Sequence, residues 1–197
     1  MRELVLASAN PHKLRELGEL LEPLGFTLSD MRSRGFTARI IEDGETFEEN
    51  AARKAETVSA ALGVPAVADD SGLVVPALGG LPGVRSARFA GEGASDEDHW
   101  RLLLEMMRGL RGEERKAYFV CVIALARPGR ASRFFRAERW GLITEEPRGR
   151  GGFGYDPVFF DPELGATYAE DPRGKQRVSH RARALRLLID HLRDGGK

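Results

Sequence analysis

Two long β-rich runs, Tyr118 to Ala126 and Ser132 to Trp140, are joined through Arg127-Pro128-Gly129-Arg130, a turn-forming string that predicts a hairpin. Hairpin strands are antiparallel, so a sheet that contains this pair is not purely parallel. The segments before it follow a different rhythm. Leu4 to Ala7 reads as a buried strand, and Leu14, Leu17, Leu20 and Leu21 recur at helical spacing before Pro23 and Gly25. A second helix is predicted from Thr46, whose hydroxyl caps the backbone while Glu49 reaches back, to Leu62, where Gly63 and Pro65 stop it. Ala66 to Ala68 form a short apolar strand that runs straight into Asp69-Asp70-Ser71-Gly72. A third helix is capped at Ser95, with Asp98 three residues on, and ends near Gly109. A final helix begins near Ser179 and places Leu185, Leu188, Ile189 and Leu192 on one face. Strand–helix alternation followed by a long hairpin predicts an α/β fold, a mixed β-sheet flanked by helices.

A chain of 197 residues, 42% of them hydrophobic, is long enough for one domain or for two small lobes sharing a core. Its 30 basic and 30 acidic residues cancel. Without a basic excess, neither a nucleic-acid partner nor a membrane surface is expected, and any anionic ligand must meet a local concentration of Lys and Arg. Apolar runs such as Ala117 to Ala126 fall short of a membrane span of roughly 20 residues. The strand pattern starts at Glu3 with no basic-then-apolar segment ahead of it, and Cys121 is the lone cysteine. A cytoplasmic protein without disulfides is expected. Arg133, Phe135, Arg139 and Trp140, with Glu138 interleaved, read as a solvated sheet face or a subunit contact rather than an RNA surface.

Four stretches carry chemistry. Ser8-Ala9-Asn10-Pro11-His12-Lys13 lies between a strand and a helix, where free backbone N–H groups, short polar side chains and one cation suit a phosphate. The same string also reads as a cap at Asn10 with a solvated Lys13, and it contains no Walker pattern. Asp69-Asp70-Ser71-Gly72 puts adjacent carboxylates at a predicted strand end, where they gain by sharing a cation or a proton; the alternative is a plain turn. With Glu42-Asp43-Gly44-Glu45 upstream, these acids can supply oxygen ligands to Mg²⁺, which keeps waters for substrate phosphates. Gly149 to Gly154 matches G-x-G-x-x-G, but a Pro147 turn precedes it and the strand-like Asp156 to Phe160 follows, against the strand-to-helix context of a dinucleotide loop. It reads either as a loop presenting Phe153 or Tyr155 to a flat ligand, or as a tight loop with two buried aromatics. Lys175 and Ser179-His180-Arg181 place cations at a helix N-terminus, a local cost that an anion would offset, or else a Ser-capped helix with solvated bases.

Taken in order, S-x-N-x-x-K, E-x-G-x-T-F-x-E-N-A-x-x-K-A, D-D-S-G, G-G-F-G-Y-D-P, then K and S-H-R resemble the inosine triphosphate pyrophosphatase family, from Ser8 to Arg181. The resemblance implies an elongated mixed sheet with two lobes and a central cleft, one pyrophosphatase domain over residues 1–197, and a homodimer. It implies Mg²⁺-dependent hydrolysis of the purine nucleotides ITP, dITP and XTP to the monophosphate and pyrophosphate. Ser8, Ala9, Asn10, Pro11, His12 and Lys13 match the triphosphate loop; Glu42 and Asp70 match metal ligands; Asp70, with Asp69 beside it, matches the proton acceptor. Ser71, Phe153, Gly154, Tyr155, Asp156, Lys175, His180 and Arg181 match substrate contacts, and Asn50 and Lys54 are candidates for reaching phosphate. Where the family carries a helical acidic run before Lys175, this chain has Asp171-Pro172-Arg173-Gly174, so a broken helix is expected there. A pyrophosphatase for another base shares these features, whereas a nucleotide-binding regulator without turnover would have no use for the Asp pair.

Overall fold

The computed structural model describes residues 2–8, 14, 17–19 and 21–195. Its strands are β1 (Arg2–Leu6), β2 (Phe26–Asp30), β3 (Ala66–Val74), β4 (Lys116–Arg127), β5 (Arg130–Ile143), β6 (Phe159–Asp161) and β7 (Ala166–Thr167). They form one seven-stranded sheet in the order β2-β1-β3-β4-β5-β6-β7. β1 is parallel to β2 and β3, whereas β6 is antiparallel to β5 and β7. The sheet is mixed, as the hairpin required. Helices α1 (Phe47–Leu62), α2 (Asp96–Met106), α3 (Pro172–Val178) and α4 (His180–Arg193) accompany it, and residues 14, 17–19 and 21 are helical. Among the described residues no helix is long and apolar enough to cross a membrane.

Local chemistry sets most boundaries. Thr46 Oγ1 accepts from the Glu49 amide at 3.1 Å while Glu49 Oε2 accepts from the Thr46 amide at 3.2 Å, and Gly63 closes α1 with φ 68°. Ser95 and Asp98 form the matching box on α2. Three expected boundaries need correction. β3 does not stop at Ala68 but continues to Val74, so Asp69-Asp70-Ser71 is mid-strand and not a turn. β6 starts at Phe159, because Tyr155 to Pro157 are turn residues. Residues 172–178 are helical after all. Pro172 stands in the first turn, where its missing N–H is no loss, and Asp171 caps the helix by accepting from the Gly174 amide at 2.8 Å. A Cβ at Gly174 would collide with that capping carboxylate, so glycine is the residue the cap can accommodate.

The chain forms two compact units. The first comprises Met1–Asp70, Val122–Arg136 and Ala184–Lys197. Its buried side chains include Leu4, Val5 and Leu6 of β1, Ala51, Ala55 and Val58 of α1, and Leu185, Leu188, Ile189 and Leu192 of α4. The second comprises Ser71–Cys121 and Ala137–Arg183. Its core gathers Leu73, Leu103, Met107, Phe119, Ile143, Tyr155, Phe159 and Tyr168. Within it Arg115 is buried and spends its guanidinium on the carbonyls of Met107, Leu110, Ile143 and Thr144, tying the end of α2 to the end of β5.

Arg139 is not on a solvated face. It is buried, with Nε donating to Asp161 Oδ2 at 2.7 Å, a second nitrogen on Asp161 Oδ1, and a third on Glu163 at 2.6 Å. Asp161 is 0% exposed, and the paired carboxylates hold the guanidinium firmly protonated. Removing one member of such a pair strands a buried charge. Arg139→Met should therefore cost about 3–5 kcal/mol in urea unfolding, and Arg139→Met with Asp161→Asn should recover part of that loss.

Candidate active site

In the first unit, the pairing of β1 with β3 ends at Leu6 and Val67. β3 continues past that point into Asp69 and Asp70, which are half-buried. α1 supplies Asn50 and Lys54, four residues apart and so on one helix face. Lys54 Nζ donates to Glu42 Oε2 at 2.6 Å and to Asp70 Oδ1 at 3.2 Å. Asn50, 1% exposed, donates to Asp70 Oδ2 at 3.3 Å, and its Oδ1 accepts from the Gly44 amide at 2.9 Å. The amide of Asn50 thus positions both the Glu42-bearing segment and Asp70. Burial pushes the Asp70 carboxyl above the usual carboxylate range, and the Lys54 ammonium offsets part of that rise. Burial alone would lower Lys54, but Asp70, Glu42 and Asp69 together hold it above its ordinary value.

Glu42 and Asp70 meet at one positive charge. Among the described residues no group of three His, Cys, Asp or Glu side chains could hold a metal ion. A carboxylate pair converging on a single cation nevertheless fits a hard divalent ion, which takes few protein oxygens and completes its shell with water. Asp69 and Asp70 are neighbours in β3, and both carboxylates act on the Lys54 ammonium. Ser8 is half-buried beyond β1, and Ser71 half-buried within β3. Ala9, Asn10, Pro11, His12 and Lys13 lie outside the described residues.

In the second unit, Asp156 organises the glycine loop. It is 1% exposed, accepts from the Phe153 amide at 2.9 Å, and takes the Lys175 ammonium at 2.5 Å. A Cβ at Gly152 would run into this carboxylate, and the φ of 77° there suits glycine in any case. Burial raises the Asp156 carboxyl above its ordinary range, with Lys175, the Phe153 amide and Arg181 opposing the rise. The two aromatics of the loop part company. Tyr155 is buried, its hydroxyl donating to the Ser86 carbonyl at 2.9 Å, so it cannot stack on a ligand. Phe153 is 59% exposed, with Lys175 Nζ 4.0 Å and the Arg181 guanidinium 5.9 Å from its ring centre. His180 is buried at the start of α4 and stacks on Phe119 at 4.7 Å, with 11° between the rings.

The motifs therefore assemble as two groups: Glu42, Asn50, Lys54 and Asp70 in one unit, and Phe153, Asp156, Lys175, His180 and Arg181 in the other. Two partners escaped the sequence reading. Ser86 emerges only from the Tyr155 contact. Asp96 looks like an ordinary acid in the first turn of α2, yet it touches the amide of Gly154 at 2.6 Å.

The chain is similar to known proteins over nearly its whole length. The model of the Ham1 family matches residues 4–191. A dITP/XTP pyrophosphatase of Geobacter sulfurreducens is 52% identical over 193 residues, 98% of this chain and 97% of that protein. One from Bacillus subtilis is 44% identical, covering 95% of this chain and 96% of its own. A solved HAM1 protein from Coxiella burnetii superposes with a TM-score of 0.93 at 42% identity over 98% of this chain and all (100%) of its own. The Staphylococcus aureus Ham1 protein gives 0.92 at 38% identity, with 100% of each chain covered.

Lys54 stabilises the ionised form of Asp70, so its removal should raise that carboxyl further. Lys54→Met is expected to shift the Asp70 titration upward in metal-free protein, read by carboxyl ¹³C chemical shift; a downward shift or none would contradict the ion pair.

Proposed function

The chain belongs to the Ham1 family, and we propose that it hydrolyses the non-canonical purine nucleoside triphosphates ITP, dITP and XTP to the monophosphate and pyrophosphate. The observation that carries this reading is the meeting of Glu42 and Asp70 at one cation, with Asn50 holding both in place. Under it the 197 residues act as a single pyrophosphatase domain, working in the cytoplasm as a homodimer.

Glu42 and Asp70 would hold a divalent ion, taken here as Mg²⁺. When bound, such an ion polarises phosphate oxygens and acidifies water. The protein's own groups do the rest. Asp70, held in place by Asn50 and Lys54, is assigned the proton of the attacking water. Asp69 adds negative charge beside it and supports the ionised Lys54. The Lys54 ammonium is placed to turn from carboxylates to phosphate as substrate arrives, and Ser8 to Lys13, together with Ser71, are assigned to the phosphate chain. No covalent nucleophile is required: in-line attack by water needs positioning and neutralised charge.

Base recognition falls to the second group. Phe153 offers an exposed ring for stacking, His180 and Arg181 at the start of α4 offer donors, and Lys175 with Asp156 sets the loop that carries Phe153. Hypoxanthine and xanthine present an oxygen at position 6, which pairs with donors. Adenine presents an amino group there, which leaves donors facing donors at about 1–3 kcal/mol for each unpaired group.

Two measurements test this. Pyrophosphate release with Mg²⁺ should give the highest kcat/KM for ITP, dITP and XTP, clearly lower values for GTP, and the lowest for ATP and pyrimidine triphosphates; equal values for ATP and ITP would refute the donor pocket. Asp70→Asn should lower kcat by at least about a hundredfold, and a near-normal kcat would remove Asp70 from the role of base.

A further inference from the structure

The loop that carries Phe153 is gripped from two sides. From within, Asp156 accepts from the Phe153 amide and pairs with Lys175. From outside, Asp96 at the first position of α2 accepts from the next amide, Gly154, at 2.6 Å. Consecutive amides of the loop are therefore each held by a carboxylate, one buried and one exposed. The other acids of the same helical turn have different tasks: Asp98 closes the capping box with Ser95, and Glu97 pairs with Arg101. Asp96 is the one that crosses 58 positions of sequence to another element.

The helix that carries Asp96 is itself tied to its surroundings. Its helix is fixed to the segment Gly83–Arg88 and its continuation, because His99 Nδ1, buried one turn on, accepts from the Ala90 amide at 3.0 Å. The same segment receives the Tyr155 hydroxyl at Ser86, whose own Oγ donates to Gly83 and accepts from Leu73 of β3. Loop residues 154 and 155 are thus tied to α2 and to the segment before it, and Phe153 is the exposed residue that immediately precedes them.

We infer that Asp96 is a positioning residue for base selection: by holding the Gly154 amide it sets the height and tilt of the Phe153 ring beneath the Lys175 and Arg181 cations. This rests on the reading of residues 153–156 as the base-contacting loop. Loss of one charge-assisted hydrogen bond that positions a binding group loosens recognition of the base without touching groups that act on phosphate.

The test compares Asp96→Ala, Asp96→Asn and Phe153→Ala with the parent enzyme in Mg²⁺. In Asp96→Ala, KM for ITP should rise about tenfold with kcat within about twofold, the ITP-over-ATP preference should fall by a similar factor, and inhibition by inorganic tripolyphosphate should be unchanged. Amide hydrogen exchange at Gly154 should accelerate. Asparagine keeps an oxygen acceptor at the same place, so Asp96→Asn should restore both the ITP KM and the slow exchange. Unchanged selectivity in Asp96→Ala while Phe153→Ala loses it would overturn the inference and leave the base-loop reading standing. Unchanged selectivity in both would overturn the two together. Equal losses in the alanine and asparagine variants, or a fall in kcat alone, would also overturn it, because neither follows from a lost acceptor.

Discussion

β3 is buried at both ends and half-exposed in the middle, and that middle is Asp69-Asp70-Ser71. A strand can carry carboxylates there only because its parallel neighbour stops short: β1 pairs with Ala66 and Val67 and goes no further. That leaves Asp70 half-buried, near enough to water for chemistry yet buried enough to feel its loss. α1 resolves the tension. Asn50 and Lys54, one turn apart, bring a hydrogen-bond donor and a cation to the same carboxylate, and the capping box at Thr46 fixes where that helix begins and hence where both side chains fall.

Each acid buried in this way has its own cation, and the choice of cation tracks the task. Asp161, wholly buried, is met by the planar fork of Arg139, a geometry that locks two strands together and is costly to break. Asp70 and Asp156 are met by lysines, whose single ammonium on a flexible stem can be shared with an arriving anion. Lys54 already divides itself between Glu42 and Asp70, and Lys175 between Asp156 and the face of Phe153.

The glycine loop shows the same economy. Gly152 must be small because Asp156 turns back against it, and that turn is what splits the aromatic pair, sending Tyr155 inward to Ser86 and leaving Phe153 outside. A loop built on one buried carboxylate and one external acceptor can be both glycine-rich and well defined.

Much of this was legible in the sequence, for identifiable reasons. Capping boxes, the Pro128-Gly129 turn and the apolar spacing of Leu185, Leu188, Ile189 and Leu192 are local signals, decided by atoms a few residues apart, and they located α1, α2, α4 and the hairpin. The ordered motifs supplied the candidate residues Glu42, Asp70, Asp156 and Lys175, which the fold brings into the contacts described above. What sequence spacing could not reveal depended on distant partners. Asp-Asp-Ser-Gly reads as a turn unless neighbouring strands hold it extended, and Pro172 with Gly174 reads as a break unless Asp171 caps the helix and requires the glycine. Arg139 looks solvated until Asp161, 22 positions away, is folded against it. Asp96 looks like a helix-dipole acid until Gly154 arrives. Local interactions are written in adjacent residues; the partner of a buried charge or of a loop amide is chosen only when the chain closes on itself.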